Sequence, residues 1–168
     1  MDRTAHLGWR LLALVYDLFP AFALTIAYGA LVTGVATLAG RPDISDLHWL
    51  KPLNALGLWA AIGAYFALSW ARGGQTLGMR PWALRVVGVD GERAPRLSLA
   101  KRYAWATLPA VVVIELAGLV AWDDARLPFA AAAGVAALGW LWAAVDREGV
   151  PLHDRLSGTR LVRRVNAA

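Results

Sequence analysis

Four long blocks of apolar residues, separated by stretches that hold nearly all of the charge, constrain this chain more than any other feature. They run from about Trp9 to Ala39, Leu53 to Trp70, Tyr103 to Ala121 and Leu127 to Val145. A helix needs about 20 apolar residues to cross a hydrocarbon core of about 30 Å, and each block reaches or approaches that length. Within lipid, backbone N–H and C=O groups must be satisfied inside the protein, and a helix does this within one segment. The blocks therefore predict an all-α integral membrane protein: a four-helix transmembrane bundle forming a single domain over residues 1–168. Composition agrees, with 58% hydrophobic and 17% charged residues, where a soluble domain carries about 25% charged. The first block exceeds the roughly 7–15 apolar residues of a secretory signal, carries Asp17 in its middle and shows no small-residue cleavage site. It is expected to be a retained helix.

Charge sets the orientation. Of the 17 lysines and arginines, all but Arg41, Lys51 and Arg126 lie before the first block, at its start, in the second connection or in the tail. With four spans these regions share one side, which the bias of Lys and Arg makes cytoplasmic. Both ends of the chain are thus expected inside the cell. Trp9, Trp70, Trp105 and Trp142 would lie near the inner interface and Trp49 and Trp122 near the outer one, depths that suit amphipathic rings. Trp59 and Trp140 lie deeper and read as packing residues. Basic residues flanking apolar blocks point to anionic lipid head groups, not to nucleic acid, which needs a soluble basic face.

The second connection, residues 71–102, has structure of its own. Arg85-Val86-Val87-Gly88-Val89 is β-branched, Asp90-Gly91 is a strong turn pair, and Leu97-Ser98-Leu99 is the candidate return strand. The expectation is a cytoplasmic interfacial hairpin or loop between helices 2 and 3; a disordered basic loop is the alternative.

Asp17 is the sharpest chemical feature. A carboxylate at the centre of a membrane helix costs about 3 kcal/mol on insertion scales, and such residues mark ion or proton paths or face a bundle interior. Arg10 lies two helical turns earlier, about 10.5 Å along the axis and close to the same face. Ala13, Ala21 and Tyr28 share that stripe, with Pro20 nearby. Glu115, in the third block, is the second buried acid. Asp17 lies about 12 Å past Trp9 and Glu115 about 21 Å past Lys101 along their helices, so the two could be steps of one path. Equally, Arg10 could snorkel to head groups, Glu115 could snorkel outward, and Asp17 could belong to a structural network between helices. Ala130 and Gly134 have the small-xxx-small spacing of close helix packing.

Other chemistries find no support. There are no cysteines, so disulfides and thiolate metal sites are excluded. No metal-ligand cluster or phosphate-binding glycine pattern appears. His153 and Asp154 are adjacent, with no serine or cysteine nucleophile placed beside them. Neither an enzyme nor a cofactor is expected.

Three motifs, in order, carry a resemblance. Arg10-Leu11-Leu12-Ala13 through Asp17 is the first. Gly74-Gln75-Thr76-Leu77-Gly78 with Leu84-Arg85-Val86-Val87 is the second. His153-Asp154-Arg155-Leu156-Ser157-Gly158-Thr159-Arg160-Leu161-Val162 is the third. Together they resemble the RDD family of bacterial membrane proteins, named for one arginine and two aspartates. Met79 departs from it, since a lysine often follows the glycine there. The resemblance implies that Arg10, Asp17 and Asp154 are the eponymous residues, and that Gly74, Gln75, Thr76, Gly78, His153, Gly158 and Thr159 belong to the family's motifs. It implies a tail folded back on the inner helix ends, with Asp154 pairing with Arg10 or with a basic residue of the second connection. It also implies transport, of which sodium/proton antiport is the proposed instance. The expected protein is a bacterial inner-membrane, ion- or proton-coupled transporter acting as a homo-oligomer or with a membrane partner. The alternative is a scaffold that recruits a partner complex or anionic lipids without transporting anything.

Overall fold

The first two apolar blocks form helices that end against left-handed glycines. The structure is a computed structural model that describes residues 3–41, 50–119 and 126–164. A short strand, β1 (Arg3–Thr4), precedes α1 (Leu7–Leu38). The side chain of His6 caps α1 by accepting from the Gly8 N–H at 3.3 Å. Just past its end, Gly40 sits at φ 73°, the left-handed geometry that terminates helices. Next come α2 (Leu50–Gly73), stopped by Gly74 at φ 70°, then β2 (Leu84–Gly88), α3 (Arg96–Leu119) and α4 (Arg126–Val145). The chain closes with α5 (Leu152–Ser157) and β3 (Thr159–Arg163).

Four helices, α1 to α4, are long and apolar enough to cross a membrane, and the structure is 74% helical. Their surfaces are turned inside out relative to a soluble bundle. Phe19 is 74% exposed and Val145 78%, as lipid-facing side chains would be. Packing runs in chain order: α1 lies on α2, α2 on α3, and α3 on α4. Small residues admit the contacts. Gly57 of α2 takes the Tyr28 hydroxyl end of α1, and Gly63 of α2 takes the Tyr103 ring of α3. Trp59 Nε1 donates to Thr107 Oγ1 at 2.8 Å, and the Tyr103 hydroxyl donates to the Trp59 carbonyl at 2.8 Å, which ties α2 to α3.

At one end of the bundle the three strands form an antiparallel sheet in the order β1-β3-β2. Leu84 pairs with Arg163 and Gly88 with Thr159 across β2–β3, while Arg3 pairs with Arg163 across β1–β3. Leu84, Val86, Thr159 and Leu161 alternate inward and are buried. They meet Ala5, Ala13, Trp70, Met79 and Leu99 in a core under the sheet. Both described ends of the chain therefore lie together.

The strand at 84–88 and the turn at Asp90-Gly91 form as the sequence implies; Gly91 has φ 82°, and the Gly88 N–H reaches the Glu92 carbonyl at 2.8 Å. The return strand does not form. Leu97, Ser98 and Leu99 open α3, which begins at Arg96 instead of Tyr103. Leu97 is 67% exposed while Leu99 is buried, a contrast that a two-residue period cannot produce on one face. Pro95 immediately precedes this helix, its carbonyl accepting the first helical bond from the Leu99 N–H at 3.1 Å. The tail supplies the partner strand instead. Trp49 and Trp122 lie outside the described residues.

Candidate functional site

The sheet end of the bundle gathers charge that lipid could not hold. Pro151 leads into α5, and Gly158, at φ 66°, ends it after six residues. That short turn aims His153 and Asp154 at the sheet-side ends of α1 and α3, where both are buried and Asp154 is fully enclosed. Arg10 of α1 meets Asp154 Oδ2 through Nη1 at 2.8 Å, and Arg102 of α3 takes Oδ1. His153 Nε2 also approaches Oδ1, at 3.2 Å. The guanidiniums are anchored further: Arg10 Nε donates to the Ala5 carbonyl at 2.9 Å, and Arg102 Nη1 donates to Thr159 Oγ1 at 3.0 Å. Thr159 in turn shares a 2.8 Å hydrogen bond with Ser157. Arg102 also lies 5.2 Å from the centre of the Trp70 ring, a cation–π contact.

Burial alone would raise the Asp154 pKa, but Arg102, His153 and Arg10 hold its carboxyl well below the usual range. Burial pushes His153 the other way, toward the neutral ring, against the pull of its bond to Asp154. Two guanidiniums and one carboxylate already leave a buried positive charge, so a third cation is disfavoured. The neutral ring carries its proton on Nε2, the nitrogen that faces Asp154; this tautomer is assigned from the hydrogen bond.

Asp17 forms a second centre. Thr76 Oγ1 donates to Oδ2 at 2.5 Å, the Gly78 N–H to Oδ1 at 2.9 Å and the Tyr65 hydroxyl to Oδ1 at 3.3 Å. Tyr65 accepts in turn from the Leu77 N–H at 3.3 Å. The loop Gly74–Gly78 is thus folded onto α1. Gln75 Nε2 fastens its base to the Leu84 carbonyl at 2.7 Å. Glycine is required at 78, where a Cβ would stand 2.7 Å from the Asp17 carboxyl carbon.

Of the residues singled out from the sequence, Arg10 and Asp17 share a face of α1 but have separate partners. Both border a cavity of about 150 Å³, with Trp70, Arg102, Tyr103 and His153 on its wall. Asp17 also borders a cleft of about 440 Å³ between α1, α2 and α3, and Glu115 lines its other part. Tyr28 is absent from both linings; its hydroxyl end is spent against Gly57. Gly74, Gln75, Thr76 and Gly78 form the loop on Asp17; His153, Asp154, Gly158 and Thr159 form the tail centre. Arg102 and Tyr65 were not singled out. Tyr65 had one signal, a hydroxyl in a block whose other polar side chains are Asn54 and Ser69. Arg102 entered only as one of the basic residues of the second connection expected to pair with Asp154, and it is the one that does. Among the described residues no group of three or more His, Cys, Asp or Glu is placed to hold a metal ion.

A family model described as the RDD family matches residues 4–158 of the 168. No curated protein and no solved structure matches the chain.

Proposed function

Because the chain belongs to the RDD family, we propose that this membrane protein is a proton-coupled cation transporter, in the manner of a sodium/proton antiporter. One observation carries the reading: Asp17 and Glu115, the two acids of the spanning helices, line the same cleft between α1, α2 and α3. An acid inside a membrane span is costly and is retained where it faces water or carries charge. Asp17 lies at the end nearer the Arg10–Asp154–Arg102 cluster and Glu115 toward the other end of α3. A cation and a proton competing for these carboxylates would give exchange. The bias of arginine and lysine supports a bacterial inner membrane with the sheet end in the cytoplasm. No catalytic chemistry and no cofactor is part of this reading.

The test is reconstitution into vesicles with a trapped pH dye, challenged in turn with inorganic and organic cations, sodium first. Wild-type protein should move protons against at least one cation gradient, and Asp17→Asn should reduce that flux at least tenfold. Equal flux in the two, with equal incorporation, overturns the role of Asp17.

A second reading has its own observation. Ala130 and Gly134 of α4 are exposed, and no atom lies within 4 Å of where a Cβ of Gly134 would stand. Small residues at that spacing suit close approach of another helix, from a second copy or a partner protein. The protein would then serve as a scaffold held to anionic lipids by its basic end. Recovery of a stoichiometric partner from mild detergent, with no cation flux in vesicles, would favour this reading.

A further inference from the structure

We propose that the cleft between α1, α2 and α3 binds a lipophilic organic cation, held by Glu115 and Asp17 against the faces of Trp59, Phe66 and Tyr103. This rests on the transport reading and names the class of its substrate.

Size comes first. A cleft of about 440 Å³ is far larger than a bare metal ion and falls within the roughly 300–1,000 Å³ of small-molecule sites. The lining chemistry comes second. The polar atoms of the aromatic residues are already committed: Trp59 Nε1 donates to Thr107, and the Tyr103 hydroxyl donates to the Trp59 carbonyl. What these residues offer a ligand is ring surface, and ring faces attract cations. The rings lie together along one wall, Trp59 tilted at 37° to Tyr103 with centres 5.2 Å apart and Phe66 stacked on Tyr103 at 5.9 Å.

Charge comes third. Among the described residues Glu115 has no hydrogen-bond or ion-pair partner, although it lines an apolar cleft. Asp17 already accepts three hydrogen bonds. A dehydrated metal ion needs several oxygens to replace its water, as hard cations show. One unengaged carboxylate and a largely satisfied second one do not supply them. An anion would be repelled. A neutral apolar molecule would leave Glu115 unpaired in a low-dielectric site, which is costly. A cation whose charge is spread over apolar groups needs few oxygens and gains from both carboxylate and ring, so it fits all three observations.

Tetraphenylphosphonium is a suitable probe, measured by equilibrium dialysis against the full-length protein in detergent. Binding should be saturable, and triphenylphosphine oxide, a neutral molecule of similar bulk, should fail to displace it. Glu115→Gln should weaken binding at least tenfold. Ala21→Phe fills the cleft from the α1 side while leaving both carboxylates in the sequence, and should weaken binding comparably while the protein stays monodisperse. Absence of saturable binding, equal displacement by the neutral compound, or unchanged affinity in either variant overturns the proposal. Copurified lipid occupying the cleft, with no probe binding, overturns it in favour of an acyl chain. The measurement needs no flux. Cation–proton exchange without probe binding would sink this inference alone, while probe binding with Asp17-independent flux would sink the coupling reading alone.

Discussion

Asp154 carries more of the structure than any other side chain, because two arginines from different helices converge on it. Removing one member of a buried ion pair costs about 3–5 kcal/mol, since the partner charge is left unpaired. Asp154→Ala is therefore expected to lower the detergent melting temperature more than Arg10→Ala, as it strands two guanidiniums, whereas Arg10→Ala leaves the carboxylate paired with Arg102. Differential scanning fluorimetry in detergent checks the order. His153 adds a pH dependence. Its folded pKa lies below the ordinary 6.5, so below that pH the unfolded chain binds a proton that the folded protein resists. Stability should fall as pH drops from about 6.5. Asp154, depressed from 3.8, adds its own loss only at pH values under that. Both signs agree, and His153 acts first. Melting temperatures measured from pH 7.5 to 5 should decline, and His153→Gln should flatten that decline; an equally steep decline in the variant would remove His153 as the cause. Arg10 and Asp17 were legible as special because charge is rare among their apolar neighbours, whereas Asp154, in a charged tail, stood out only through the family resemblance. Of their partners, Thr76 and Gly78 came with the motifs, whereas Arg102 is one basic residue of the second connection among several until distant segments are brought together.

At the scale of elements, the loop between α2 and β2 and the tail from α5 to β3 do equivalent work. Each folds back on α1 and satisfies one of its charged residues. Gly78 shows how tightly the first is fitted: a methyl group there meets both the Ala13 carbonyl and the Asp17 carboxyl. Overpacking of this kind typically costs about 1–3 kcal/mol. Gly78→Ala should lower thermal stability by that amount, while Gly139→Ala on α4, where nothing lies within 4 Å, should leave it nearly unchanged. The four helices were readable from length and hydropathy, because a membrane imposes both. The hairpin was half readable. Its first strand and turn carry local signals, but strand pairing is a long-range choice. Leu84–Gly88 chose Thr159–Arg163, more than 70 residues away, over the nearby Leu97–Leu99. The closer segment begins with Pro95 and continues as an apolar helix, so its local preference opposed a strand.

For the whole molecule, the pairing of β1 with β3 has a consequence for topology. Once both described ends of the chain lie in one sheet, an even number of crossings is required, and four helices satisfy it. β2 lies in the same sheet, so the connection between α2 and α3 must share its side of the membrane. Hydrogen bonding thus reaches the same arrangement as the charge count by a separate route. The arrangement can be read directly, because the chain contains no cysteine and single cysteines can be introduced without removing others. Val89, 63% exposed beside the β2 turn, and Arg41, exposed just past α1, should fall on opposite sides. In intact cells an impermeant maleimide should label Arg41→Cys but not Val89→Cys, and in inverted vesicles the pattern should reverse. Labelling of both positions from one side would contradict a membrane-spanning α2, the helix that separates them. Reversed labelling would keep the bundle but place the arginine-rich sheet outside, which would remove the cytoplasmic lipid contacts from the scaffold reading.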